Sequence, residues 1–318
     1  MVEIGYTLSS QEWGPADLVR WARRAEEVGF GFALVSDHYH PWIDAQGHSP
    51  FVWTVVGGVA EATERLRLGT GVTCPTIRIH PALVAQAAAT CAAMMPGRFF
   101  LGLGSGENLN EHITGQRWPA ADERRDMLEE AIGVIRQLWE GGEQTHRGRY
   151  FRVESARVYT LPDEPPPIYV AAGGPKAARL AASAGDGLIG VSPDEKVVRT
   201  FEQAGGDGKP KYGQVHVCWA RSDDEARKTA ARIWPNTAIT GELGQELPLP
   251  RHFEQAAEML DAGEVDEQLP TGPEVEPYLE AIGRYADAGH THVYLHQIGP
   301  DQEGFFRFWE EELAPKIG

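Results

Sequence analysis

Residues 32–51, FALVSDHYHPWIDAQGHSPF, concentrate side chains that could do chemistry just after an apolar, strand-like run. They include one acid followed by three histidines and a tryptophan: Asp37, His38, His40, Trp42 and His48. Histidines close to an acid could bind a metal ion, or they could act as acids and bases in a reaction. They could also belong to a polar surface loop without a chemical role, so the surrounding sequence has to decide between three interpretations.

Two further stretches place polar groups at the ends of strand-like runs. GLGSGENLN (102–110) combines three glycines with Glu107, whose carboxyl group could donate or accept a proton, although the helix dipole alone also favours an acid at a helix start. AAGGPKAARLA (171–181) runs through two glycines into Pro175, which suits the first position of a helix. Its bare main-chain N–H groups could bind an anion such as a phosphate, and a tight turn without a ligand is the alternative.

An alternation of strands and helices must position these residues. Apolar runs predict eight strands, over 2–7, 32–37, 66–73, 98–106, 167–174, 187–192, 214–220 and 292–297. Helical periodicity fills the gaps, for example over 15–29, 122–141 and 274–289, each closed by a glycine. Eight strands with intervening helices in 318 residues predict a closed parallel (β/α)₈ TIM barrel that forms a single domain.

Two segments interrupt this alternation. Residues 142–166 predict a small hairpin before the fifth strand. Residues 235–272 form a long, acidic excursion between the seventh and eighth strands, rich in proline and glycine. Such an insertion either covers the active-site mouth as a lid or decorates the surface.

The barrel gathers the candidate residues, because function in this fold is located at the carboxyl ends of the strands. The histidine-rich segment, the Glu107 loop and the anion site should therefore share one mouth. A metal-dependent amidohydrolase would carry its His-x-His pair on the first strand, with a metal-bridging lysine and further histidines on later strands. Here the pair follows the second strand and the later strand ends carry Gly, Glu and Asn, so the pattern disfavours a metal site.

The composition narrows the class of partner. The net charge of −17 argues against nucleic acid or an anionic membrane as a main partner and leaves a small-molecule substrate. The amino terminus lacks the pattern of a signal peptide, and no run approaches 18 uninterrupted apolar residues. Three widely spaced cysteines suit a reducing cytoplasm and do not match a disulfide framework or a zinc site.

As a set, these segments resemble the luciferase-like oxidoreductases that use the deazaflavin coenzyme F420, most closely the glucose-6-phosphate dehydrogenase-like branch. The resemblance is carried, in family order, by residues 36–51, 68–76, 100–112, 118–139 and 169–189. It implies a (β/α)₈ barrel, usually a homodimer, that transfers a hydride between a substrate hydroxyl carbon and C5 of the deazaflavin.

The resemblance also implies roles for individual residues. His38 would lie beside the substrate carbon as a base or a stabiliser of charge, Trp42 would wall the same pocket, and Glu107 would supply a proton near ring nitrogen N1. Asp37 would bind the ring side of the cofactor, and Gly71-Val72 would form a non-prolyl cis peptide behind the ring. The remaining cofactor contacts would come from Cys74, Gly104, Ser105, Gly106, Asn110, Ala171, Ala172, Gly173 and Gly174, the last four at the phosphate.

Departures from the family pattern bear on the substrate. Gln11, followed by Glu12, stands where the sugar-phosphate enzymes have a glutamate. Asp194 ends the stretch in which those enzymes place a phosphate-binding lysine, and residues 235–272 contain no lysine and only Arg251 as an arginine. This pattern predicts an unphosphorylated substrate instead of glucose 6-phosphate. An enzyme that binds FMN, a metal-dependent hydrolase and a non-catalytic homologue remain as alternatives.

Overall fold

The computed structural model describes residues 2–239, 241–260 and 269–317. Its strands are β1 (Glu3–Leu8), β2 (Phe32–Val35), β3 (Arg67–Thr70), β4 (Phe99–Leu103), β5 (Gln144–Arg147), β6 (Arg152–Ala156), β7 (Ile168–Ala171), β8 (Gly187–Gly190), β9 (Lys211–Val217) and β10 (His292–Gln297). Its α-helices are α1 (Pro15–Glu27), α2 (Val52–Ala62), α3 (Pro81–Met94), α4 (Asn108–Glu111), α5 (Ala121–Trp139), α6 (Pro175–Ala184), α7 (Glu195–Phe201), α8 (Asp223–Ile233), α9 (Leu243–Glu246), α10 (Pro250–Met259), α11 (Glu276–Asp287) and α12 (Gln302–Phe308).

Eight parallel strands close into a barrel in the order β1-β10-β9-β8-β7-β4-β3-β2. β10 pairs with both β1 and β9, so the sheet has no free edge. The predicted (β/α)₈ TIM barrel is therefore confirmed. β5 and β6 form a separate antiparallel pair, which confirms the hairpin predicted within residues 142–166.

Several predicted strands extended too far at the barrel mouth. The third ends at Thr70 instead of residue 73, the fourth at Leu103 instead of 106, and the fifth at Ala171 instead of 174. Beyond these points the regular ladders end, with an isolated bridge between Thr73 and Leu103, and the chain forms the loops that carry the candidate residues. Apolar periodicity does not show where regular pairing stops. The seventh strand begins at Lys211, three residues before its predicted start at 214.

Aromatic rings fill the amino-terminal half of the barrel. The rings belong to Phe32, Phe100, Tyr169, Tyr212 and Tyr294, all buried. Glycines directly opposite them on the neighbouring strands make room for the rings, since a Cβ at Gly5 would lie 2.4 Å from the Phe32 ring and a Cβ at Gly69 only 1.9 Å from the Phe100 ring. Because this packing leaves the interior closed at that end, the mouth at the carboxyl ends of the strands is the place for a ligand.

The helices pack their apolar faces against the outside of the barrel. α1 buries the four residues predicted from its periodicity, Leu18, Trp21, Ala22 and Ala25. Glycines with positive φ follow the ends of α1, α5 and α11, as predicted, at Gly29, Gly141 and Gly289. Among the described residues, no helix is both long and apolar enough to cross a membrane.

The excursion over residues 235–272 is described except at 240 and 261–268. Its helix α10 buries Phe253, which is 1% exposed, against Ile43 and Leu109. The excursion thus packs onto the loops that follow β2 and β4, at the mouth of the barrel.

Candidate active site

His38 lies just beyond β2 with only 9% of its side chain exposed. Its Nδ1 is 3.2 Å from the main-chain oxygen of His40, and a carbonyl can only accept, so Nδ1 carries the proton and Nε2 presents a lone pair. Burial lowers the pKa of His38 to about 3, so the ring is neutral near pH 7. The Ser49 hydroxyl group donates to the main-chain oxygen of His38 and helps to fix the loop.

Glu107 faces His38 across the mouth. Its Oε2 lies 3.6 Å from His38 Nε2. This distance is too long for a hydrogen bond, so the two groups are close neighbours that are not hydrogen-bonded to each other. Burial raises the pKa of Glu107 to about 7, although a 3.0 Å hydrogen bond from Asn110 Nδ2 opposes the shift. At neutral pH the site therefore holds a base without a proton beside an acid that can carry one.

Asn110 ties these two groups together. Its Oδ1 accepts from the main-chain N–H groups of Tyr39 (2.9 Å) and His40 (3.2 Å), while its Nδ2 donates to Glu107. The residue is 3% exposed and its amide is occupied by these contacts. Its predicted contact with the cofactor stays a prediction, and the structure shows it positioning both halves of the acid–base pair.

Asp37 is held in a buried ion-pair network. Its Oδ2 accepts from Thr73 Oγ1 at 2.7 Å, and its Oδ1 lies 2.8 Å from Arg78 Nη2. Arg78 also pairs with Glu111, and all three charged side chains are at most 7% exposed. Since both oxygens of Asp37 have protein partners, its predicted contact with the cofactor ring stays a prediction beside this observed structural role.

Trp42 stands against His38, with ring centroids 5.1 Å apart at 62°. Its other neighbours include Phe253 of α10, 5.1 Å away at 74°. His40 and His48 are set apart from this contact, since His40 Nδ1 bonds the main-chain oxygen of Leu109 and the exposed His48 bonds Gln11 through its main chain. Of the three histidines in the segment, His38 is the one that faces Glu107.

The ends of β3, β4 and β7 converge on a floor of small side chains. A Cβ at Gly104 would lie 2.6 Å from Val72 Cγ2 and 3.5 Å from the Cβ of Ala171. The Gly71-Val72 peptide is cis, as the resemblance implies. At Gly106 a Cβ would lie 2.6 Å from Cys74 Sγ, so that buried thiol packs directly beneath the Glu107 loop. The intermediate exposure of Ser105 places it at the rim of the same loop.

The loop after β7 exposes main chain at the start of α6. Ala172 is buried and its N–H donates to Ile189, whereas a Cβ at Gly173 or Gly174 would meet nothing within 4 Å. Gly174 caps the helix without any side-chain hydrogen bond, so the first N–H groups of α6 keep their donors for a ligand. A small-residue floor beside an open anion site fits a flat cofactor that carries a phosphate.

The positions that depart from the family pattern have structural roles. The Glu12 side chain is only 5% exposed, and its carboxylate accepts from Trp234, His296 and the N–H of Gly299. Gln11 is also buried, and its Oε1 accepts from Ser36 Oγ at 2.7 Å. Asp194 caps α7 by accepting from the N–H groups of Lys196 and Val197. Among the described residues, no group of three or more His, Cys, Asp or Glu side chains could hold a metal ion.

Sequence reasoning missed two networks around the site. Glu111 lies within residues 100–112 and Arg78 just after residues 68–76, but an arginine in TIRIH (76–80) carries no local signal of its partners. His216 and His296 are bonded to each other although 80 residues separate them. The sequence indicated only that each histidine lies near the end of a predicted strand. The register of the barrel strands makes them neighbours.

Comparison with known proteins agrees with this geometry. Residues 2–292 match the model of a family described as luciferase-like monooxygenase. The chain is 36% identical over 328 residues to an F420-dependent glucose-6-phosphate dehydrogenase of Microbacterium testaceum (strain StLB037), covering 99% of this chain and 97% of that protein. It is 35% identical to the protein of the same description from Mycobacterium tuberculosis (strain ATCC 25618 / H37Rv), covering 99% of this chain and 98% of the relative.

Solved structures of related proteins superpose on this chain over almost its whole length. An F420-dependent secondary alcohol dehydrogenase, in complex with an F420-acetone adduct, superposes with a TM-score of 0.90 at 30% identity, covering 98% of each chain. The F420-dependent tetrahydromethanopterin reductase of Methanopyrus kandleri has a TM-score of 0.80 at 23% identity, covering 100% of this chain and 99% of that one, and it shares the fold.

Proposed function

The chain belongs to the luciferase-like monooxygenase family and is an F420-dependent oxidoreductase, and we propose that it transfers a hydride between the hydroxyl carbon of an unphosphorylated alcohol or sugar and C5 of the deazaflavin. The observation that carries this proposal is the opposition of neutral His38 and protonatable Glu107 across 3.6 Å. Oxidation of an alcohol releases one proton with the hydride, and reduction of a bound deazaflavin would consume another, so two separate proton carriers are needed.

The chain's own residues manage those protons. When bound, the deazaflavin accepts or donates the hydride. His38 Nε2 takes the proton of the substrate hydroxyl group, because its Nδ1–H is held by the His40 main chain. Glu107 holds the second proton at its carboxyl group, and Asn110 keeps that carboxyl group aligned with the His38 loop. Trp42 closes the wall beside His38 against water.

The residues around the mouth support an unphosphorylated substrate. Asp194 uses its carboxylate to cap α7 where a sugar-phosphate enzyme would have a phosphate-binding lysine. A substrate phosphate needs cationic or N–H donors that are free to turn toward it. We therefore propose an alcohol or sugar in place of the glucose 6-phosphate named for the relatives.

A titration followed by a substrate panel tests the proposed function. Fluorescence titration with F420 and with FMN should give saturable binding of F420 and weaker or absent binding of FMN. Loss of the visible absorbance of F420 is then followed with alcohols, sugars and glucose 6-phosphate. Turnover of glucose 6-phosphate in preference to every unphosphorylated compound would refute the substrate proposal, and preferential binding of FMN would refute the cofactor assignment.

The pH dependence of kcat/KM should show the ionisation of Glu107. Only its protonated form can donate, and its pKa is about 7, so kcat/KM for alcohol oxidation should be level below pH 7 and fall about tenfold per pH unit above it. The pKa of His38, about 3, puts no second limb between pH 5 and 9. Glu107→Gln should lower the rate and remove the inflection. An unchanged inflection in that variant would assign it to another group.

If the loop after β7 binds the cofactor phosphate, a negative charge introduced there should weaken F420 binding more than a small uncharged side chain does. Gly173→Asp should weaken F420 binding about 10–100-fold, because a carboxylate would face the cofactor phosphate. Gly173→Ala is the matched control, since its Cβ meets nothing within 4 Å, and it should weaken binding less than Gly173→Asp. Dissociation constants from fluorescence titration and a thermal melt of each variant provide the comparison. Equal dissociation constants for the two variants would locate the phosphate elsewhere.

Two further expectations stand as proposals. We propose that residues 235–272 act as a lid over the mouth, supported by the contact of Phe253 with Trp42 and by the 3.0 Å hydrogen bond from the Asp44 N–H to Glu254 Oε1. Homodimer formation is proposed on the family resemblance.

A further inference from the structure

A chain of hydrogen bonds that no proposed step uses runs along the mouth of the barrel. Glu12 Oε1 lies 2.9 Å from His296 Nε2, and His296 Nδ1 lies 2.7 Å from His216 Nδ1. Trp234 Nε1 donates to Glu12 Oε1 at 2.7 Å, and the N–H of Gly299 donates to Oε2 at 2.9 Å. Both oxygens of Glu12 are thus engaged, and the chain of contacts ends at His216.

The contacts constrain where the protons lie. A carboxylate accepts, so His296 donates to Glu12 through Nε2–H. In the arrangement with one proton on each ring, which the ¹⁵N spectrum described below tests, His296 offers the lone pair of Nδ1. His216 must then donate through Nδ1–H. The lone pair of His216 Nε2 is left over, and no described group makes a hydrogen bond to that atom. Burial lowers the pKa of His216 to about 3, which leaves the ring neutral near pH 7.

The barrel register places the His216 ring at the mouth of the barrel. His216 and His296 are direct neighbours in the pairing of β9 with β10, one residue before each strand ends. His216 shares the inward face of β9 with Tyr212, which lies in the aromatic cluster inside the barrel. Its ring centroid is 5.5 Å from that of Trp234.

An aromatic wall connects the two histidines that offer lone pairs. Trp234 belongs to a buried cluster against which Trp42 packs, and Trp42 also contacts His38. His38 and His216 therefore stand at two places along the wall of the same mouth. Each presents an uncharged nitrogen that accepts a hydrogen bond.

We propose that His216 Nε2 accepts a hydrogen bond from a second hydroxyl group of the substrate, and that Glu12 and His296 hold it in the accepting tautomer. The substrate class is then an uncharged compound with two hydroxyl groups, one at His38 and one at His216. A phosphate oxygen is excluded from this position, since it would bring an acceptor against an acceptor. The inference rests on the proposed function and specifies its substrate.

Propan-2-ol and propane-1,2-diol test the inference, because they share the oxidised carbon and differ by one hydroxyl group. Wild-type enzyme with F420 should show a kcat/KM at least about tenfold higher for the diol. His216→Phe keeps a flat ring against Trp234 but removes the acceptor. It should raise KM for the diol about 10–100-fold and change kcat/KM for propan-2-ol less than about threefold. His216→Gln, which retains an acceptor oxygen, should restore part of the preference.

Two measurements on the folded protein check the tautomer of His216 and the integrity of the cofactor site. The ¹⁵N spectrum of His216 in the wild-type enzyme should show a proton on Nδ1 and none on Nε2, and His296→Phe should mix the two tautomers. The affinity for F420 should be the same within about twofold in wild type and His216→Phe.

The outcomes separate this inference from the proposed function. Turnover of propan-2-ol without a preference for the diol would overturn the inference alone, as would a proton on Nε2 or equal losses for both substrates in His216→Phe. Loss of F420 affinity in that variant would make His216 a cofactor ligand and would also overturn it. Binding of F420 with no turnover of any hydroxyl compound would refute the proposed function, and the inference with it.

Discussion

Replacing His38 with alanine is expected to lower kcat for alcohol oxidation by about 10²–10⁴-fold, while the dissociation constant of F420 changes no more than a few-fold. The ring is neutral, its Nδ1–H is fixed by a main-chain oxygen, and its Nε2 faces the acid Glu107, so alanine removes the base without removing a cofactor contact. Steady-state loss of F420 absorbance gives kcat, and fluorescence titration gives the dissociation constant.

His48→Ala is the matched control for that variant. It removes a histidine from the same segment, but the side chain is exposed and the structure ties it to Gln11 only through the main chain. Its kcat should stay within about twofold of wild type. Added imidazole should restore part of the activity of His38→Ala, because a missing base can be replaced from solution and a misfolded loop cannot. Loss of F420 binding in parallel with kcat would show that His38 holds the cofactor.

The architecture could be predicted from the sequence because eight strands alternating with helices are compatible with few folds, and a closed parallel barrel is the one that fits this number of strands. Eight apolar runs separated by helical periodicity were enough for the barrel, and the glycine after α1 marked a helix end correctly. The strand ends at the mouth were predicted less well. Residues such as Val72 and Gly104 continue the apolar pattern beyond the regular strands, where the main chain keeps only an isolated bridge between Thr73 and Leu103.

The candidate site was predictable where its residues lie in a distinctive segment at the end of a strand. His38 and Glu107 each stand at a strand end within a distinctive segment, and the resemblance assigned them to one reaction. The hydrogen bonds by which Asn110 connects them could not be predicted from the sequence. They depend on which main-chain N–H groups of the His38 loop reach the Asn110 amide. The pairing of His216 with His296 depends on the register of β9 and β10 across a long excursion.

The network of Asp37, Arg78 and Glu111 shows how buried charge can fix the site. The Arg78 guanidinium group lies 2.8 Å from Asp37 and 3.4 Å from Glu111, and both carboxylate side chains are 1% exposed. Charges taken out of water are tolerated only while they are paired. Asp37 directly precedes His38 in the chain, so the cation that neutralises it also holds the base in place.

Removing that cation should have the largest effect on stability. Arg78→Met keeps much of the length of the side chain but leaves two buried carboxylates without a cationic partner, and it should lower the free energy of unfolding by about 3–5 kcal/mol. Arg199→Met breaks a pair with Glu195 in which both side chains are more than 60% exposed, so it should cost no more than about 1 kcal/mol. Urea unfolding of the three proteins measures both differences. Equal small losses would mean that Asp37 and Glu111 are held by other contacts, whereas a large loss confined to Arg78→Met would show that the fold depends on the buried cation that pairs with them.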